Sequence, residues 1–66
     1  MSSAFEYKEV VGISTESIEA AIQVGLKQIS QTVEVAWFEV LSMRGRMVDD
    51  DTVEHQVSIK VGCRAK

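Results

Sequence analysis

From Val53 to Arg64 the chain reads VEHQVSIKVGCR, and its side chains alternate without a break. Val53, His55, Val57, Ile59, Val61 and Cys63 fall on one side; Glu54, Gln56, Ser58, Lys60, Gly62 and Arg64 fall on the other. Period two marks a strand with one buried face, because successive side chains of an extended backbone point to opposite sides. An apolar row this long must be covered, and the cover has to come from a chain of only 66 residues.

The cover is a helix. Ile18, Ala21, Ile22, Gly25, Leu26 and Ile29 recur at spacings of three and one, a stripe down one side of an α-helix, with Glu19, Gln23, Lys27 and Gln31 opposite. Gly25 within the stripe costs about 1 kcal/mol against Ala, which implies that something packs closely there. Ser14 stands as the N-cap, with Glu16 in the first turn where the helix dipole favours a carboxylate. Before it, FEYKEVVG (Phe5 to Gly12) alternates loosely and ends on Gly, as a first strand does. After it, VEVAWFEVLSMRGRM is rich in β-formers and leads through Asp49–Asp51 into the last strand. The expected fold is α+β: a single β-α-β-β domain over 1–66, with a three-stranded antiparallel sheet packed on one helix.

The hairpin register follows from the demand that opposed residues share a face. A two-residue turn at Asp50-Asp51 sets Val40 against Val61 and Phe38 against Cys63. The same register sets Trp37 beside Arg64, Glu39 beside Gly62, Leu41 beside Lys60, Met43 beside Ser58 and Gln56 beside Gly45. Trp37, Leu41 and Met43 then lie on the sheet face away from the helix, in water if the chain is alone. A domain of about 60 residues is marginal by itself, and the usual remedies are disulfides, metals or oligomerisation. One Cys excludes an internal disulfide, and one His with one Cys cannot build a structural zinc site. Oligomerisation is left. An apolar outer face suits an oligomer interface, and a lone Trp also suits a planar ligand; both hold if the ligand sits in the interface.

A net charge of −3 and a pI near 4.9 argue against nucleic acid, which needs a basic face. No apolar run approaches the roughly 18 residues of a membrane span. MSSAFEYKEV lacks the apolar core of a signal peptide, so the expected place is the cytoplasm. No enzyme is expected. His55 and Cys63 lie eight residues apart on one strand, roughly 27 Å at strand rise, too far for a Cys–His pair. Cys63, in the apolar row, reads as a buried, inert thiol. Asp49–Asp51 lacks the Gly and terminal Glu of a calcium loop and reads as a solvated turn.

Taken together, GISTESIEAAIQ, WFEVLSMRG and HQVSIKVGCR resemble the dodecins, small flavin-binding proteins, over about Phe5 to Arg64. The most specific pieces are WFEV followed by Arg44-Gly45, and QVSIKVG twelve residues after Arg44. The resemblance implies a hollow homododecamer that holds flavins between tryptophans of symmetry-related chains, for storage and photoprotection rather than turnover. Trp37 matches the stacking tryptophan and Gln56 the glutamine that binds the polar edge of the isoalloxazine. Arg44 and Arg64 match arginines of bacterial members, partners for an FMN phosphate. They favour FMN over riboflavin, since a phosphate gains charge-assisted hydrogen bonds that a hydroxyl cannot.

The chain departs from the family pattern in places. TVEVAW is one residue shorter than the commonest form. Ala36 replaces an Asp, Ser42 an acidic residue and His55 an aromatic. Some bacterial members bind coenzyme A through basic residues, but here those positions read Glu6, Gln28, Gln31 and Glu34, where an anionic nucleotide meets like charge. Two other readings stay open: an oligomer that binds no ligand, and a calcium binder using Asp49–Asp51 or Glu39.

Overall fold

A computed structural model of the chain describes residues 3–66. It contains β1 (Glu6–Ser14), α1 (Ile18–Ile29), β2 (Val33–Met47) and β3 (Val53–Ala65). The sheet order is β1-β3-β2 with both pairings antiparallel, so the expected α+β fold of three strands and one helix is the fold observed. β3 takes the centre because its apolar row is the longest in the chain. Val57, Ile59, Val61 and Cys63 are fully buried, joined by Ala21 and Val33, with Val10, Ile22, Leu26, Ile29 and Val35 packed around them.

The helix begins three residues later than the sequence suggests. Its N-cap is Ser17, whose hydroxyl accepts from the Ala20 amide at 2.9 Å. Ser14 still belongs to β1, opposite His55, and its hydroxyl accepts from the Glu16 amide. The segment STES offers two serines with suitable spacing, and the extra strand pairing decides between them. Glu19, not Glu16, therefore occupies the first turn, and Lys27 the last, each sign suited to its end of the helix dipole.

Gly12 does not end β1; it is where α1 crosses the strand. A methyl group at Gly12 would overlap the Ala21 carbonyl oxygen, and one at Gly25 would come within 3.1 Å of Ile59 Cδ1. The two glycines let helix and strand backbones touch, the close approach that Gly25 implied.

The β2–β3 register differs from the expected one along its whole length. The hairpin closes through Asp49, Asp50 and Asp51, with the Val48 amide donating to the Thr52 carbonyl at 3.0 Å, rather than through a two-residue turn. Two bulges, at Ala36 and Leu41, then shift the pairing further. Trp37 faces Gly62, Phe38 faces Val61, Glu39 faces Lys60, Val40 faces Ile59, Met43 faces Val57 and Arg44 faces Gln56. Phe38 and Val40 keep the helix side, and Trp37 keeps the outer side. Met43 is transferred to the helix-side row, opposite Val57 rather than Ser58. Leu41 sits unpaired in its bulge instead of beside Lys60.

The molecule is long for its size, 55 × 19 × 13 Å. A helix of 12 residues spans about 18 Å, so the hairpin end of the sheet projects beyond it. Phe38, Val40, Met43, Met47 and Val53 are exposed on the helix side of the sheet, and Phe5, Tyr7, Val11, Ile13 and Trp37 are exposed on the outer face. Among the described residues, no helix is long and apolar enough to cross a membrane.

Candidate functional site

The outer face of the sheet carries two clusters built from residues of all three strands. The first surrounds Trp37. Its indole lies over Gly62, the only position in the β3 outer row without a side chain, and a methyl group there would overlap ring atoms Cε2 and Cζ2. Phe5, just before β1, and Tyr7, within it, pack against the ring. Phe5 is tilted at a centroid distance of 5.1 Å, and Tyr7 stands edge-on at 6.1 Å. These are the tilted and perpendicular arrangements that aromatic quadrupoles favour. The Lys60 ammonium lies 4.3 Å from the Tyr7 centroid, and the Arg64 guanidinium 5.5 Å from that of Phe5. Even so packed, Trp37 is 42% exposed. An indole supported from below by Gly62 and still partly exposed offers a platform for a planar aromatic group.

The second cluster is a chain of hydrogen bonds near the hairpin. Arg44 Nε donates to Gln56 Oε1, Gln56 Nε2 donates to Glu54 Oε1, and Arg46 Nε donates to the same Glu54 oxygen, all at 2.9 Å. The Gln56 amide and then Arg46 hold the Glu54 carboxyl below its ordinary value, so it carries its charge at neutral pH. Arg64 makes a comparable contact nearer Trp37, donating from Nε to Glu34 at 2.8 Å. In Arg44 and Arg64 alike the bonded atom is Nε. The terminal guanidinium nitrogens are left to face an anion from the fork side.

The expected site residues therefore fall in two groups. Trp37 and Arg64 are neighbours through Phe5, and Arg44 and Gln56 are bonded partners. The groups do not meet within a chain. Gln56 is six residues from Gly62, the residue opposite Trp37, along β3, about 20 Å at strand rise. Nor do the described residues of a single chain form a concave pocket. Sequence reasoning missed Phe5, Tyr7 and Gly62 as the seat of Trp37, and Glu54 and Arg46 beside Gln56. The signals were a pair of aromatics at i and i+2 and a Gly in a row of long side chains. Neither has meaning until the register is known.

The residues weighed for other chemistry are committed elsewhere. Cys63 is buried, with its thiol 3.6 Å from the Glu6 carbonyl, and His55 lies partly covered between Ser14 and Gly45. Asp49 accepts from the Asp51 amide at 3.0 Å within the hairpin loop, and that bond and Thr52 hold its carboxyl below the ordinary value. Among the described residues no three His, Cys, Asp or Glu side chains are grouped to hold a metal ion.

Comparison with known proteins places this architecture. The chain is 38% identical over 65 residues to a dodecin of Thermus thermophilus, covering 97% of this chain and 94% of that protein. The solved structure of a dodecin from Streptomyces davaonensis superposes with a TM-score of 0.86 at 36% identity, covering 96% of this chain and 94% of the other. A dodecin from Streptomyces coelicolor gives 0.80 at 34% identity, covering 98% and 97%. The sequence profile of the Dodecin family matches residues 5–66. With the expected β-α-β-β order observed and likeness extending over nearly its full length, the chain belongs to the dodecin family.

Proposed function

We propose that this protein binds and stores flavin, FMN in preference to riboflavin, at sites between subunits of a cytoplasmic homododecamer, and protects it from light without turning it over. The observation that carries this reading is the seat of Trp37: an indole resting on Gly62, packed with Phe5 and Tyr7, and still 42% exposed. Stacking on such a face suits the isoalloxazine ring. The amide edge of Gln56 suits its pyrimidine end, and the terminal nitrogens of Arg44 and Arg64 suit a phosphate.

The separation of the two clusters supports an inter-subunit site. A ring that touches both Trp37 and Gln56 must take them from different chains. Flavin supplies a light-absorbing, readily reduced ring. Trp37, stacked on it, is an electron donor at van der Waals distance and so a quencher of the excited state. It also keeps water and oxygen from one ring face.

The apolar groups exposed on both sheet faces favour an oligomer whether or not flavin binds, so the ligand has to be tested separately from the assembly. Trp37→Ala should weaken FMN binding by about 1–3 kcal/mol, the scale of one base–aromatic stack, in a fluorescence titration of protein whose oligomer is intact. Unchanged affinity would leave Trp37 as interface alone and overturn the reading.

A further inference from the structure

Gln56 sits between groups that admit only one orientation of its amide. On one side Arg44 offers nothing but donors; on the other, ionised Glu54 offers nothing but acceptors. Turning the amide over would set its NH₂ against the guanidinium and its oxygen against the carboxylate. The side chain of Ile13, its neighbour on β1, has no donor or acceptor and so no influence on the choice. Glu54 is itself braced by Arg46, and its side chain is only 17% exposed.

We propose that Glu54, held by Arg46, is a positioning residue that fixes the Gln56 amide with Oε1 toward Arg44 and Nε2 toward Glu54. The amide keeps one lone pair and one N–H for a ligand, in a set order across the sheet. A flavin offers the complement at its pyrimidine end, where the N3–H donor stands beside carbonyl acceptors. Glu54 thus sets which hydrogen-bonding pattern the site accepts without touching the ligand. This inference rests on the flavin reading above and adds its selectivity determinant.

The test compares riboflavin with 3-methylriboflavin, whose N3 can no longer donate; neither carries a phosphate, so the arginines do not mask the effect. Wild-type protein should prefer riboflavin by about fivefold or more, the scale of leaving one buried polar group without its partner. In Glu54→Ala, sized to show that the oligomer is intact, both ligands should still bind through Trp37 while the preference falls at least about twofold below that of wild-type protein, Arg44 alone then holding Oε1. Glu54→Gln keeps the shape but can meet Gln56 with either end of its amide, so it should fall between the two; it also serves if Glu54→Ala does not fold. A preference unchanged in both variants would overturn the role of Glu54 and leave the flavin reading standing. Failure of wild-type protein to bind either compound would overturn the flavin reading and this inference with it.

Discussion

Trp37 owes its placement to a residue with no side chain. Any larger residue at position 62 would occupy the space of the indole, since a methyl group there overlaps Cε2 and Cζ2. The backbone of Gly62 has no positive φ, so Ala is compatible with the strand itself. Gly62→Ala should therefore leave the far-UV circular dichroism and the oligomer size unchanged, while FMN affinity falls about tenfold or more, as for a lost stacking contact. Full affinity in this variant would show that the seat described for Trp37 is not the one used. At this scale the sequence was partly legible. A single Trp in an alternating run could be assigned to the outer face, but its support depends on which β3 residue lies opposite. The expected partner was Arg64 and the observed one is Gly62.

At the scale of elements, the union of α1 with β1 depends on backbone contact at Gly12. A Cβ there meets the Ala21 carbonyl, which cannot move without disturbing the helix. At Gly25 the nearest atom is Ile59 Cδ1, the end of a flexible side chain. Gly12→Ala should lower stability by about 1–3 kcal/mol or more through overpacking. Gly25→Ala should cost less, because Ala is about 1 kcal/mol better than Gly in a helix. Urea denaturation of the two variants checks the order, and equal losses would contradict the crossing described. Helix and strands were legible because their periodicities, 3.6 and 2, are local properties. Register was not, because the bulges at Ala36 and Leu41 and the three-residue hairpin loop leave no mark on composition. Each extra residue moves every side chain beyond it to a new partner, which is why Met43 changed face while Phe38, Val40 and Trp37 did not.

At the scale of the whole molecule, one chain is an incomplete surface. It exposes 4847 Å², where a compact monomer of 7.3 kDa is expected to expose about 4200 Å², and it shows apolar side chains on both sides of its sheet. Size with one Cys and one His already pointed to self-association, since they removed the other ways of stabilising so small a domain. The central claim is that this assembly holds flavin against Trp37. The most direct measurement is an FMN fluorescence titration on wild-type protein whose mass has been fixed by light scattering. The account predicts loss of FMN emission, saturating near one flavin per chain on a large closed oligomer. Full emission with that oligomer intact would contradict it.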